Sequence, residues 1–295
     1  MGYVSPGWLY LEKQKTVETF DDVLAYAEFL RNEAGLNGIL PVDLGKIFGH
    51  FQIPETLFAP LPQQQGLLLD AKRGIIVINS NDPEKRQKFT TAHELVELLF
   101  KALPQGKDLG RGWELKRPGG FKETTKEFLC NWTAANLLMP PPFIENEIKK
   151  LGVTFECARS IAEKCEVSLS AALVQVARNS QRQHFVVLWR MKNKPTEINN
   201  TNNASQMTMF GVQNIAPAKK LRVEWSLGGV NSPYIPKDKS VENSSLIYQA
   251  WETNRFTSGR VNISLDNRNA SWFSSENLPF TTDGERYVIS LIGKI

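Results

Sequence analysis

The stretch RQKFTTAHELVELLFKAL (86–103) constrains this chain of 295 residues more than any other. From Ala92 to Phe100, apolar residues stand on nearly every side of a helical wheel: Ala92, Leu95, Val96, Leu98, Leu99 and Phe100. A helix that is apolar all round has to be covered all round, so the fold must place other elements on several of its sides. The same turns nevertheless carry His93, Glu94 and Glu97. An ionised carboxylate taken out of water alone costs several kcal/mol, so Glu97 needs a partner. His93 and Glu97, four residues apart, stack on one helix face and can converge on one ion. Glu94 is turned about 100° away, where a carboxylate reaches a water beside the ion rather than the ion itself. The alternative is that Glu97 pairs with Arg111 or a lysine and His93 is a hydrogen-bonded core histidine.

The spacing is that of the H-E-x-x-H zinc motif, with Glu97 at the fifth position instead of histidine. Carboxylates ligate zinc, but they also move preference toward harder ions such as manganese or iron(II). The chain has three histidines, His50, His93 and His184, so any further ligand is sought among other residue types. A second strong helix over FKETTKEFLCNWTAANLLM (121–139) offers one. Glu127, Asn131, Ala134 and Leu138 share a face, and Glu127 is polar among Phe128, Leu129 and Trp132. A catalytic zinc takes three protein ligands and keeps one position open, which one histidine and two carboxylates on adjacent helices would satisfy. Cys130, three residues after Glu127, is either a substitute ligand or a small buried hydrophobe. Glu123, one turn earlier, reads as solvated.

Around these helices the pattern is α+β. A helix over 17–35 is followed by a short amphipathic one over 41–51 and an apolar hairpin over 66–80. Asp82 as N-cap and Pro83 at the first helical position start the central helix. Pro140–Pro142 end the second helix. Two shorter helical segments follow to residue 180, the last broken near Glu166 as helix-turn-helix units are. From residue 183 composition shifts to strand-like runs, HFVVLWRMK, LRVEWSL, RVNISLD and RYVISLIG, with a helix at VENSSLIYQAWETN. The expected division is therefore 1–142, 143–182 as a helical extension, and 183–295 as a β-rich or α+β regulatory domain. Trp225, Trp251, Trp272 and Tyr287 would line a ligand pocket there, or simply fill the core.

A net charge of +4 does not mark a dedicated nucleic-acid binder, and three cysteines cannot build a disulfide framework. No secretory leader pattern and no run of about 18 apolar residues occurs, so a cytoplasmic protein with no membrane partner is expected.

Residues 38–180 resemble the ImmA/IrrE family of bacterial metallopeptidases. The resemblance is carried by LPVDLGKIFGHFQIP (40–54), RQKFTTAHELVELL (86–99) and EFLCNWTAANLLMP (127–140). It is most specific at Glu127, Asn131, Ala134, Ala135 and Leu137–Pro140, where identity and spacing both agree. It departs at Glu97, where the family usually has its second histidine, and at Cys130 and Thr133. The resemblance implies a zincin-like domain, His93 and Glu127 as metal ligands beside Glu97, and Glu94 as general base. It also implies one divalent ion, with zinc first and manganese or iron(II) as alternatives. Its further implication is a site-specific endopeptidase that cleaves a helix-turn-helix (XRE-type) repressor, which releases stress-response or mobile-element genes. In the radiation-response branch a GAF-like domain occupies the position of 183–295. Arg111 and His50 are candidate second donors to an oxyanion, although His50 also reads as a helix C-terminal residue near the macrodipole. The competing expectation is a catalytically inactive regulator on the same fold. It would bind DNA or a protein through FECARSIAEKCEVSLSAALVQVARN, with Arg159, Lys164, Arg178 and Arg182 as its basic residues.

Overall fold

The computed structural model describes residues 2–14, 17–103, 125–196, 218–229, 232, 235–264 and 270–294. It divides into two compact units, residues 1–152 with 156–175, and residues 153–155 with 176–295. The expected start of the helix at 121–124 and most of the Asn/Thr-rich stretch after 194 lie outside the described residues. So do Arg111 and Glu123.

In the first unit, α1 (Pro6–Gln14), α2 (Phe20–Glu33) and α3 (Leu44–Phe51) precede a small sheet. Its strands are β1 (Leu57–Ala59), β2 (Gly66–Asp70) and β3 (Ile75–Asn79), in the order β1-β3-β2. β2 and β3 form the expected antiparallel hairpin, and β1 adds in parallel on the far side of β3. Then come α4 (Glu84–Ala102), α5 (Thr125–Leu138), α6 (Pro141–Leu151), α7 (Phe155–Lys164) and α8 (Leu169–Arg178). The break between α7 and α8 falls at Glu166, which takes a left-handed φ of 55°.

The layers around α4 explain its composition. α1 packs on one side, α5 on another, and β2 and β3 on a third. The α1 contact is so close that a Cβ on Gly7 would lie 2.4 Å from the Leu98 carbonyl oxygen. Ala92, Leu95, Val96, Leu98 and Leu99 are at most 1% exposed. Each fully buried leucine or valine contributes roughly 1.5–3 kcal/mol, so α4 is the axis of the unit's stability. α2 is fixed first by a capping box between Thr19 and Asp22. Its buried Arg31 then donates to the carbonyl oxygens of Asn136 (2.7 Å) and Leu137 (3.3 Å) at the end of α5. Those carbonyls would otherwise lack intrahelical partners, so α2 anchors the helix that carries Glu127. The start of α4 differs from expectation by one residue. Pro83 is the N-cap, with extended ψ of 147° and no side-chain cap, and Asp82 stands one place earlier with an oxygen 4.0 Å from Arg86. Gln87 instead ties the lead-in, donating to the Asp82 carbonyl at 2.8 Å.

The second unit is β-rich. β4 (His184–Lys192), β5 (Lys220–Gly228), β6 (Thr257–Ser264), β7 (Ala270–Thr282) and β8 (Glu285–Lys294) form an antiparallel sheet in the order β5-β4-β8-β7-β6. The helix α9 (Leu246–Thr253), capped by Ser245, lies against β6, β7 and β8. Phe185, Val187, Trp189, Val223, Ile247 and Phe273 build the core between them. Of the four aromatics expected to line a pocket, Trp251 packs against this core and Trp272 stands 61% exposed. No helix among the described residues is long and apolar enough to cross a membrane.

Candidate metal centre

α4 and α5 lie side by side, and their facing turns bring the expected residues to one cleft of about 430 Å³. His93, Glu94 and Glu97 enter from α4, Glu127 and Asn131 from α5, and Gly66–Leu68 of β2 form the third wall. Gly66 is required there by contact. A Cβ would sit 2.4 Å from Thr90 Cγ2 and 3.1 Å from Glu94 Oε1. The strand therefore approaches the helix more closely than any side chain on that residue allows.

His93 is held at one nitrogen and faces a carboxylate with the other. Its Nδ1 lies 3.1 Å from Asn131 Oδ1, and its Nε2 lies 3.6 Å from Glu127 Oε2. An amide oxygen accepts from Nδ1–H, which leaves the Nε2 lone pair facing the carboxylate side of the cleft. Asn131 is thus an orienting residue, the kind of outer partner that fixes the tautomer of a ligating histidine. Glu97 sits one turn further along α4, with its side chain 14% exposed, and Lys126 Nζ donates to its Oε1 at 2.6 Å. The lysine partner that the alternative reading gave Glu97 is therefore present, and it comes from the first turn of α5, beside Glu127 in the chain. Nothing in the sequence singled out Lys126 among the other lysines.

Glu94 is buried, and its carboxyl is pushed up to about 7. Burial is the largest cause, with the negative charges of Glu97 and Glu127 adding to it, while the Leu68 backbone amide and Lys126 act in the opposite direction. Cys130 faces the same cluster. Its thiol is fully buried and pushed well above its ordinary range by burial and then by the Glu97 charge.

The residues fit a divalent ion. One ligand atom each from His93, Glu97 and Cys130 lies within 4.8 Å of the others, and the Glu127 carboxylate borders the same imidazole. The Thr90 hydroxyl on the cleft wall is buried without a hydrogen-bond partner. Of the remaining histidines, His50 is an exposed residue in the last turn of α3, in edge contact with Phe51. His184 belongs to the second unit, where its Nδ1 lies 2.7 Å from Ser180 Oγ.

The cleft falls within the segment of the chain that is similar to known proteins. Residues 50–176 match the family model described as the IrrE N-terminal-like domain, from the end of α3 into α8 and across the whole cleft. This segment is similar to the N-terminal domain of IrrE-type proteins. Two curated relatives are both called radiation response metalloprotease IrrE. The Deinococcus deserti protein is 33% identical over 123 residues, 42% of this chain and 42% of its own. That of Deinococcus radiodurans is 35% identical over 116 residues, 39% of this chain and 34% of its own. The matched segments thus span less than half the length of either relative. Among solved structures, a Mycobacterium tuberculosis transcriptional regulator superposes over 98% of this chain and 81% of its own, with a TM-score of 0.54 at 9% identity, a likeness of fold alone.

Proposed function

We propose that the IrrE-type domain is a metal-dependent endopeptidase, and that its substrate is a helix-turn-helix (XRE-type) repressor whose cleavage releases stress-response or mobile-element genes in the cytoplasm. One observation carries the reading: two helices and a strand bring His93, Glu94, Glu97 and Glu127 to a single open cleft. The metalloprotease name of the two relatives supports it. His93, Glu97 and Glu127 would hold the ion, with zinc as first choice and manganese or iron(II) as alternatives. When bound, a divalent ion supplies a Lewis acid and a nucleophilic water at neutral pH.

The chain's own residues do the rest. Asn131 holds the His93 ring so that Nε2 remains a donor of electrons. Glu94, next in the chain and buried against β2, takes the proton of the attacking water on its carboxylate and returns it to the departing amine nitrogen. Burial next to two other carboxylates suits it to exchange a proton in both directions.

The test is incubation of the metal-loaded protein with a helix-turn-helix repressor. One discrete cut, stopped by chelator and by Glu94→Gln, is expected. Cleavage that survives Glu94→Gln overturns the assignment of the base.

The Lys126–Glu97 ion pair favours a second reading, in which the ammonium occupies the carboxylate and the domain is an inactive regulator. α7 and α8 would then bind DNA or a protein, although Lys164 of that surface is already engaged by Glu147. Salt-sensitive binding to duplex DNA with no cleavage at any added metal would select this reading.

A further inference from the structure

We propose that Cys130 is itself a ligand of the ion, its thiolate joining His93 and Glu97, which makes this a mixed imidazole, carboxylate and thiolate centre. The inference rests on the metallopeptidase reading of the cleft. Its basis is the pairing of rows between two helices. On α4, His93 and Glu97 are one turn apart. On α5, Glu127 and Asn131 form one row with the same spacing and Lys126 and Cys130 form the next. The Glu127/Asn131 row meets His93 at 3.6 and 3.1 Å, and the Lys126/Cys130 row meets Glu97, with Lys126 Nζ at 2.6 Å.

Cys130 therefore occupies the inner corner of the site, one turn deeper than Lys126. Its Sγ shares a 4.8 Å cluster with a nitrogen of His93 and a carboxylate oxygen of Glu97. Donor atoms about a tetrahedral zinc, with bonds of ~2.0–2.3 Å, stand roughly 3.3–3.8 Å apart, so closure from the observed spacing asks for about an ångström of side-chain movement. Burial by itself does not single out this thiol. Cys157 and Cys165 are equally buried, and among the described residues neither belongs to such a group.

The chemical consequence is selectivity. An imidazole with two carboxylates suits hard and borderline ions alike, whereas a thiolate favours zinc and cobalt over manganese. Binding forms a sulfur–metal bond and releases the thiol proton to the solvent, and the Lys126 ammonium separates from Glu97.

The experiment is titration of metal-free full-length protein with cobalt(II), followed by absorption. A sulfur-to-cobalt charge-transfer band in the near ultraviolet that saturates at one equivalent, and is missing in Cys130→Ser, is the expected result. In the same variant, zinc affinity falls by at least about tenfold, the scale on which even outer partners act, and manganese affinity falls less. The band in the unaltered protein does not depend on how well the variant folds, and a Cys157→Ser control keeps it. Stoichiometric cobalt with visible ligand-field bands and no charge-transfer band overturns the role of Cys130 while the His93, Glu97 and Glu127 reading stands. Failure to bind cobalt, zinc or manganese overturns both.

Discussion

Two buried glutamates in the first unit have opposite surroundings. Glu147 on α6 is 2% exposed and accepts from Lys164 at 2.7 Å, Ser160 at 2.6 Å and Lys150 at 3.1 Å. The bond from Lys164, then that from Ser160, outweighs its burial and holds its carboxyl down at about 2. Glu94 on α4 is 7% exposed, faces Glu97 and Glu127, and is pushed up to about 7. The first carboxylate is fully compensated and joins α6 to α7. Among the described residues, the second lies in a cluster with more acid than base, its three carboxylates accompanied by Lys101 and Lys126. The second unit repeats the compensated pattern without charge. Trp189 Nε1 donates to Ser290 Oγ at 3.0 Å, Ser290 to Asn277 Oδ1 at 2.7 Å, and Asn277 Nδ2 to Ser275 Oγ at 3.1 Å. Of these three buried polar groups, the one that lines the cleft is the one whose neighbours are of like charge.

The contrast is sharpened most by Glu94→Gln, which is expected to lower peptide cleavage by about 10²–10⁴-fold, the usual worth of a positioned proton-transfer group, while bound metal is unchanged. Loss of metal in that variant would make Glu94 a ligand instead. In the second unit, Asn277→Ala leaves the Ser290 hydroxyl and its neighbours short of partners. It should destabilise by roughly 1–3 kcal/mol in a urea titration followed by tryptophan fluorescence, with cleavage retained.

Next in size is the pH dependence at Glu147. Its folded carboxyl titrates near 2, below its ordinary value of 4.5. Its stabilisation is therefore complete above about pH 5 and is lost as pH falls through 4 toward 2. Because the Lys150 side chain is 68% exposed and that of Lys164 50%, about 1–2 kcal/mol is expected. Glu147→Gln should remove that part of the acid slope, and an unchanged slope would break the comparison. The smallest effect is at Lys126. Lys126→Met frees Glu97 and should raise metal affinity by a factor of a few, up to roughly tenfold, whereas lowered affinity would mean that the ammonium supports the site.

Much of the site was legible because its chemistry is local. The turn from His93 to Glu97 lies within one helix, and the Glu127 face is read from spacing alone. Lys126 and Cys130 were harder. Their roles depend on how α5 is rotated against α4, which the buried Arg31 helps to set from more than a hundred residues away. The fold showed the same limit. Hairpin β2–β3 and strands β4, β5, β6 and β8 follow from apolar alternation, but β7 is hidden by Ser274, Ser275, Glu276 and Pro279. β6 begins at Thr257 opposite Asn277, so Pro279 lies where β7 has a neighbour on one side only, and its missing amide hydrogen is tolerated. The helix α1 was likewise unread, since PGWLYLEKQ is too short for its period to show and is held by close packing of Gly7 on α4.

The central claim is that the acidic cleft between α4 and α5 is completed by a cation. The most direct test is the metal content per chain of the unaltered protein and of Glu97→Ala, both purified without chelator or metal-affinity resin. The account predicts close to one equivalent of zinc, manganese or iron in the first and its loss in the second. No metal in either, even after each ion is added back, would contradict it and leave the Lys126–Glu97 pair as the cleft's resting and final state.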